Sequence, residues 1–134
     1  MGDSVTIRSA QDDSVLELHR TQRSDTFRAH LRGRGFEGAV EVYELGPPKH
    51  LATFFRDLAV HWRGWQGEKH WGSLESQLSF RAKADSTGHT YLDVELRGGS
   101  CHDWRLRGSL VIEAGQLDKI ASEIESFVEL THAA

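Results

Sequence analysis

The stretch from Leu51 to Trp71, LATFFRDLAVHWRGWQGEKHW, constrains the fold more than any other part of the sequence. At about 100° per residue, its large apolar side chains fall within an arc of about 100°, which is the width of a stripe that a helix buries against a core. These side chains belong to Leu51, Phe54, Phe55, Leu58, Trp62 and Trp65. The pattern predicts a helix over about residues 49–63, entered through Pro47 and Pro48 and ended by Gly64.

Alternation of apolar and polar residues predicts strands on both sides of this helix. Before the helix, the expected strands are Val5–Ile7, Val15–Arg20, one starting at Thr26, and Phe36–Leu45. After a loop that is rich in tryptophan, two strands contain Phe80 and Val94, and a third covers Trp104–Glu113 with Trp104, Leu106, Leu110 and Ile112 facing inward. A second amphipathic helix is predicted over about residues 115–130.

These elements predict a single α+β domain over residues 1–134, of which residues 1–13 are expected to be only partly ordered. The architecture is expected to have two layers, with a mostly antiparallel sheet of about six to seven strands and two helices packed on one face. Glu44-Leu45-Gly46 and Glu113-Ala114-Gly115 each close a strand before an apolar helical stripe. Each half of the chain is therefore predicted to be a meander followed by a covering helix.

The composition excludes several classes of protein. A single cysteine, Cys101, rules out an internal disulfide framework and a cysteine-rich zinc module, and predicts a reducing, cytoplasmic location. The first residues carry neither a basic head nor an apolar run, so we expect no signal peptide and no membrane span. The net charge of −4 argues against general nucleic-acid binding.

Three segments resemble a family of small, uncharacterised actinobacterial proteins of unknown function. The segments are LATFFRDLA, WRGWQGEKHWGSLE and DWRLRGSLVIEAGQLDKIASEIESF, and the resemblance covers about residues 36–130. It implies no activity, no cofactor and no catalytic residue. More loosely, the small acidic α+β style is similar to that of bacterial immunity proteins, which neutralise toxins, and this second likeness rests on fold alone.

Neither a catalytic nor a metal site is predicted. Cys101-His102-Asp103 contains the residue types of a cysteine hydrolase, but neighbours on an extended chain point to opposite sides, so a loop thiol is the better interpretation. His61 and His70 lie close in sequence, yet no two histidines have the i, i+3 or i, i+4 spacing that is typical of metal ligands on a helix. We therefore expect no cofactor.

Basic residues decorate the predicted strands and allow two interpretations. A sheet face with Arg28, His30, Arg32, Arg81, Lys83, Arg105 and Arg107, interleaved with Tyr91, would resemble the sheets on which some RNA modules bind. Alternatively, Arg81 and Arg107 flank Asp93 while Arg105 faces Glu95, which makes a cross-strand ladder of ion pairs. The ladder is favoured because the charges come in compensating rows, and nucleic-acid binding is not expected.

The tryptophan-rich loop is the candidate binding surface. Its residues, Trp71, His70, Lys69, Arg63, His61 and Trp62, are of the types that binding hot spots use. Trp71 is predicted to be the exposed ring. The alternative is that Trp62 and Trp65 belong to the core and that Arg63 or Lys69 stacks on a ring.

Three functions remain open at this point. The first is a non-enzymatic protein-interaction module of immunity-like or regulatory type, which binds a protein partner. The second is a small-molecule binder or small enzyme, with a pocket between the first helix and the sheet that is lined by Trp62, Trp71, His61 and His70. The third is RNA binding on the open sheet face, a face that could also form a homodimer.

Overall fold

Eight strands and two helices build the fold in an order that repeats, with four strands and a helix followed by four strands and a helix. The computed structural model describes residues 4–23, 25–43, 49–99, 101 and 103–133, with residues 49, 50 and 129–133 described as backbone only. The elements are β1 (Ser4–Arg8), β2 (Val15–Arg20), β3 (Thr26–Gly33), β4 (Phe36–Tyr43), α1 (Lys49–Val60), β5 (Lys69–Gly72), β6 (Leu78–Ala84), β7 (His89–Gly98), β8 (Trp104–Glu113) and α2 (Ala114–Ala133). The predicted pair of meanders, each followed by a helix, is confirmed.

Two parts of the sequence prediction fall outside the described residues. They are the strand-closing segment Glu44-Leu45-Gly46 and the two prolines at the predicted entry to α1, Pro47 and Pro48. The backbone of α1 begins directly after them, at Lys49.

The strands form two antiparallel sheets, with the orders β1-β2-β3-β4 and β5-β6-β7-β8. The predicted single sheet of about six to seven strands is therefore wrong, although the α+β class is correct. One cause is that α1 separates β4 from β5 along the chain, and these two strands stand at the ends of different sheets. The other cause is β5 itself, a four-residue edge strand paired with β6 in a region that the sequence pattern had indicated to be a loop.

The apolar side of each sheet follows the predicted alternation. In β6 and β7, every second residue is buried, and the same holds in the centre of β3 and β4. The buried residues of these four strands include Phe27, Ala29, Leu31, Val40, Val42, Leu78, Phe80, Ala82, Leu92, Val94 and Leu96. The outward-facing positions carry most of the charged side chains of the strands, so each sheet has one polar face.

Strand β8 departs from the predicted pattern at its first residue. Leu110 and Ile112 are buried as expected, whereas Trp104 is 39% exposed. Trp104 pairs with Gly98 at the end of the β7–β8 hairpin, and its ring lies over that glycine. A methyl group on Gly98 would fall 2.0 Å from the indole, so glycine is needed there for the ring to approach the backbone.

The two helices pack beside each other and complete the core. Their predicted apolar faces are buried, including Leu51, Phe54, Phe55 and Leu58 of α1 and Leu117, Ile120, Ala121, Ile124, Phe127 and Val128 of α2. α1 lies against β5, while α2 lies against β1 and β8. Helix α2 starts one residue earlier and ends three residues later than the predicted range of 115–130. Within the described residues, no helix combines the length and the apolar character that crossing a lipid bilayer requires.

The two sheets meet where the chain leaves β1. The backbone N–H of Val111 in β8 donates to Ser9 Oγ at 3.0 Å, and the N–H of Ala10 donates to the carbonyl of Val111 at 2.7 Å. Apolar side chains of both sheets and both helices belong to one continuous core, in which the rings of Phe27 and Phe127 meet edge to face at 5.8 Å. The first sheet is thus joined to the second by packing and by these two hydrogen bonds.

Candidate functional site

A turn after α1 builds the surface that the sequence singles out. The helix ends at Val60, three residues before the predicted end. The N–H of His61 still donates to the carbonyl of Asp57 at 3.1 Å, and the N–H of Gly64 donates to the carbonyl of His61 at 2.8 Å. Gly64 has φ 122°, a conformation that glycine adopts without steric cost. The predicted stop at Gly64 is therefore confirmed, but a turn of three residues separates it from the regular helix.

Trp62 is the exposed tryptophan of this turn. Its predicted place on the stripe of Phe55 and Leu58 is wrong, because those residues are fully buried whereas Trp62 is 51% exposed. The helix has already ended at Val60, so helical spacing no longer decides where the ring points. The guanidinium carbon of Arg63 lies 5.1 Å from the ring centroid, which is a cation–π contact. Val60, next to it, is 65% exposed.

Asp57 and Trp65 attach this turn to the second sheet. Asp57 Oδ1 lies 3.1 Å from His61 Nδ1, and Asp57 Oδ2 lies 2.8 Å from Lys69 Nζ at the start of β5. The Lys69 ammonium is also 5.5 Å from the ring centroid of Trp65. The indole N–H of Trp65 donates to the carbonyl of Ala82 in β6 at 3.3 Å. Both cation contacts that the sequence offered as alternatives are therefore present, Arg63 on Trp62 and Lys69 on Trp65.

Trp71 lies in the core. It was predicted to be the exposed ring, but it is 9% exposed and its ring centroid is 5.5 Å from that of Phe80. The reason is that residues 69–72 form strand β5, in which Trp71 pairs with Phe80 on the inward side of the sheet. Trp71 is therefore a core residue and is excluded from the candidate surface.

His70 lies on the opposite side of β5 from Trp71, since neighbouring residues of a strand point to opposite faces. It pairs with Arg81 in the register and is exposed. Its Nε2 lies 3.5 Å from Glu68 Oε1, and Glu68 also contacts Lys83 Nζ at 3.2 Å. His70 is therefore part of the polar outer face of the second sheet.

Four of the six predicted residues thus share one surface. We call it the Trp62 surface, and it consists of Val60, His61, Trp62, Arg63 and Lys69. The structure does not bring Trp62, Trp71, His61 and His70 together, so the predicted pocket between α1 and the sheet is not formed by these residues. A binding role for the Trp62 surface stays a prediction.

The residues considered for catalysis and metal binding include Cys101 and the histidines His61 and His70. Cys101 is exposed in the β7–β8 hairpin, and its neighbour His102 lies outside the described residues. Among the residues that the structure describes, no group of three histidine, cysteine, aspartate or glutamate side chains could hold a metal ion.

The outer face of the second sheet carries ion pairs, as predicted. The register of β7 against β8, however, differs from the predicted one by two residues. Arg81 stands opposite Asp93 in the register as predicted, and its Nε lies 3.8 Å from Glu68 Oε1. In the β7–β8 hairpin, however, Arg107 pairs with Glu95, and Arg105 stands directly opposite Arg97. The predicted register, with Arg107 beside Asp93 and Arg105 opposite Glu95, is therefore wrong, although Arg105 still reaches the Glu95 carboxylate at 3.8 Å.

Three arginines form ion pairs with Glu95 on this face. Its carboxylate lies 2.7 Å from Arg97 Nε, 3.2 Å from Arg107 Nε and 3.8 Å from Arg105 Nε, and its side chain is only 14% exposed. Burial alone would raise the pKa of Glu95, but the hydrogen bond from Arg97 and the charges of the three arginines lower that pKa below its usual value of 4.5. Glu95 therefore stays ionised at neutral pH.

A groove of about 620 Å³ lies beside Glu95 on this outer face. Its floor is low because Gly72 has no side chain and those of Ser79 and Ser109 are short. Longer polar side chains stand around it, namely His70, Arg81, Asp93, Glu95 and Arg107. The hydroxyl of Ser109 donates to Asp93 Oδ1 at 2.6 Å. The groove thus presents both donors and acceptors to solvent.

A polar cluster at the β6–β7 turn was missed by the sequence prediction. Asp85 Oδ1 accepts from the backbone N–H of Thr87 at 2.8 Å and of His89 at 3.0 Å, and Asp85 Oδ2 accepts from Tyr91 Oη at 2.9 Å. These donors, led by the N–H of His89, hold the pKa of Asp85 well below its usual range, and the bond to Asp85 raises the pKa of Tyr91. The sequence Asp85-Ser86-Thr87-Gly88 is typical of a turn, but only the hairpin register brings Tyr91 to it.

This cluster contains a threonine, a histidine and an aspartate, but not in the arrangement of a hydrolase triad. Thr87 Oγ1 lies 2.8 Å from His89 Nδ1, and Asp85 Oδ2 lies 3.5 Å from the same nitrogen. In a triad the histidine uses one nitrogen for the nucleophile and the other for the carboxylate. The bonds of Asp85 are instead those of a capped turn.

Fold and surface together define a small α+β protein of two meander-and-helix halves. The chain belongs to DUF6228, a family of unknown function, whose sequence pattern matches residues 7–131. Comparison with curated proteins gave no match, and comparison with solved structures gave none either.

Proposed function

We propose that this protein is a non-enzymatic interaction module that binds a protein partner through the Trp62 surface. The observation that carries the proposal is the half-exposed ring of Trp62, with the guanidinium of Arg63 stacked on it and the exposed side chain of Val60 beside it. Tryptophan and arginine are the residue types that contribute most often to binding hot spots.

The Trp62 surface is preorganised for binding. The turn that carries it is fixed at its base by Asp57, which contacts both His61 and Lys69, and by the indole of Trp65, which is bonded to β6. Because the turn is already held in place, binding of a partner would cost little conformational entropy for ordering it. This favours binding over a purely structural role for an exposed ring.

The chemistry of the surface indicates the partner that it would accept. Trp62 and Val60 would fit an apolar cleft, and the guanidinium of Arg63 would pair with a carboxylate at its rim, whereas His61 and Lys69 already contact Asp57. We therefore propose a folded protein with an acidic rim around an apolar cleft, which this chain neutralises or regulates in the cytoplasm. A reducing cytoplasm suits the exposed thiol of Cys101.

Site-directed photo-crosslinking in the native cell tests the proposal. A photoreactive phenylalanine analogue is placed at His61 in one strain and, as a matched control, at Thr53 in another; Thr53 is exposed on α1 about two turns before Val60. We expect a covalent adduct of defined mass with the probe at His61 and not with the probe at Thr53. Trp62→Ala in the same background should remove the adduct.

Three outcomes would contradict the proposal. One is no adduct from the probe at His61, and another is an adduct that Trp62→Ala leaves unchanged. The third is an adduct that contains only a second copy of this chain, because the surface would then be a homodimer contact. An unfolding curve for Trp62→Ala that matches the wild type ensures that the loss of the adduct is not a loss of folding.

A further inference from the structure

The groove on the outer face of the second sheet has the size of a small-ligand site and a polar lining. Its volume of about 620 Å³ falls within the range of about 300–1,000 Å³ that is typical of such sites. The small residues Gly72, Ser79 and Ser109 form a floor between longer polar side chains.

The charge beside one end of this groove, where Arg107 and Glu95 line it and Arg97 and Arg105 lie next to them on the same sheet face, is unbalanced. Arg97, Arg105 and Arg107 converge on the single carboxylate of Glu95, which leaves two positive charges without a compensating carboxylate among these four residues. Arg105 also stands directly opposite Arg97 in the register, and like charges at opposed positions of a sheet repel each other. The side chains of Arg105 and Arg107 are 57% and 62% exposed, so an anion can reach them.

This local excess is opposite in sign to the net charge of the whole chain, which is −4. Glu95 is only 14% exposed and already occupied by Arg97 at 2.7 Å, whereas Arg105 lies 3.8 Å away. A second anion placed against Arg105 and Arg107 would relieve the repulsion that Glu95 offsets only in part. A phosphate dianion would match both guanidinium groups, which bind such oxygens in pairs.

We propose that this groove binds a small phosphorylated molecule, with its phosphate at Arg105 and Arg107 and its polar body along Ser79, Asp93 and Ser109. Asp93 is an acceptor for hydroxyl groups of that body, and the serine hydroxyls are both donors and acceptors. This proposal is independent of the Trp62 surface, because the groove lies on the outward side of β5–β8 and the Trp62 surface lies at the end of α1.

A small ligand fits better here than single-stranded RNA. Sheet modules that bind RNA stack successive bases on exposed aromatic rings. On the described outer face of β5–β8, Tyr91 is the only exposed phenylalanine, tyrosine or tryptophan with an outward side chain, and its hydroxyl is bonded to Asp85 in the turn. The charged end of the groove therefore has no row of rings beside it on which bases could stack.

Calorimetric titration of the full-length protein with defined probes tests this site. The probes are inorganic phosphate, ribose, ribose 5-phosphate, glycerol 3-phosphate and octauridine. We expect ribose 5-phosphate or glycerol 3-phosphate to bind about tenfold more tightly than inorganic phosphate, and ribose alone not to bind. Amide NMR shifts on binding should be confined to residues near Ser79, Asp93 and Arg107.

Variants decide whether the arginines are responsible. Arg107→Gln should weaken binding of the phosphate ester by about tenfold, and Arg107→Lys, which keeps the charge but cannot form paired bonds, should weaken it less. The matched control is Arg28→Gln, which removes an exposed arginine from the outer face of the other sheet and should leave the affinity unchanged. Unfolding curves for all three variants accompany the titrations.

Four results would overturn the proposal. They are the failure of both phosphate esters to bind, equal affinities for the esters and for inorganic phosphate, an equal loss of affinity in Arg28→Gln and Arg107→Gln, and tight binding of octauridine with no binding of either ester. The last result would assign the face to RNA.

Discussion

Arg56 on α1 binds Glu125 on α2 through two of its nitrogens, with Nε 2.9 Å from one carboxylate oxygen and Nη2 2.8 Å from the other. The same guanidinium donates to Asp118 Oδ1 at 2.6 Å and to Ser122 Oγ at 3.2 Å. Its hydrogen bond to Glu125 raises the pKa of Arg56 and lowers the pKa of Glu125, because each charged form stabilises the other. One side chain of α1 thus fixes three positions along α2.

Removing this guanidinium should loosen the contact between the helices. We expect Arg56→Met, which keeps an apolar stem of similar length, to lower the free energy of unfolding by about 1 kcal/mol, as for a partly exposed charge network. Urea unfolding of Arg56→Met, Glu125→Gln and the double variant measures the coupling, which should be roughly 0.5–1 kcal/mol. If the two single effects simply add, the bidentate pair does not hold the helices together.

The two tryptophans Trp62 and Trp71 should respond very differently to truncation. Trp71 is enclosed in the core against Phe80, so Trp71→Ala should cost about 3–5 kcal/mol. Trp62 is exposed, so Trp62→Ala should change stability by no more than about 0.5 kcal/mol. Urea unfolding at neutral pH measures both, and similar losses for the two variants would contradict the assignment of one ring to the core and the other to the surface.

Much of the fold follows from local patterns in the sequence. Strands such as β7 could be predicted because buried and outward-facing residues alternate without interruption from Thr90 to Leu96. A strand with one buried face requires this alternation. The apolar stripe of α2 could be predicted for the same kind of reason, with a period of 3.6. What these patterns do not contain is which strands become neighbours, and for that reason one sheet was predicted where two are present.

The errors in the candidate site have two local causes. Trp71 was assigned to a loop because β5 has only four residues, too few for an alternation to be recognised, and its burial depends on pairing with Phe80. The predicted ion-pair ladder has the wrong register because Gly98 still belongs to β7 and pairs with Trp104, whereas the pairing of Arg105 with Glu95 would place Gly98 in the turn. Moving the centre of a hairpin by one residue moves its register by two, which placed Arg105 opposite Glu95 instead of Arg97.

The junction between the two sheets should depend on the hydroxyl of Ser9. Ser9 is 9% exposed, and its Oγ accepts from the N–H of Val111 at 3.0 Å. Ser9→Ala would leave that N–H without its acceptor, so we expect a loss of about 1–3 kcal/mol in stability. Hydrogen exchange at the Val111 amide should also accelerate more than at Leu92 in the middle of β7. Unchanged protection at Val111 would show that this hydrogen bond does not join the sheets.

Acid should weaken the fold through its paired carboxylates. The pKa values of Glu17, Glu95 and Glu125 all lie below the usual 4.5 in the folded protein. For Glu17, burial acts in the raising direction but is outweighed by the hydrogen bond with His19 and the charge of Arg32. A carboxylate whose folded pKa is lowered contributes its stabilisation fully above the unfolded pKa, and that contribution is lost as the pH falls through the lowered pKa.

The free energy of unfolding should therefore fall as the pH is lowered from about 5 to about 3. The slope of this free energy against pH should be smaller in Glu95→Gln, because glutamine binds no proton at this position. One proton corresponds to at most about 1.4 kcal/mol per pH unit, so the change in slope should stay below that value. The control is Glu123→Gln, which removes an exposed carboxylate from α2 and should keep the slope of the wild type. Urea unfolding at a series of pH values measures the three slopes. If Glu95→Gln and the wild type show the same slope, the three arginines around Glu95 do not couple its ionisation to folding.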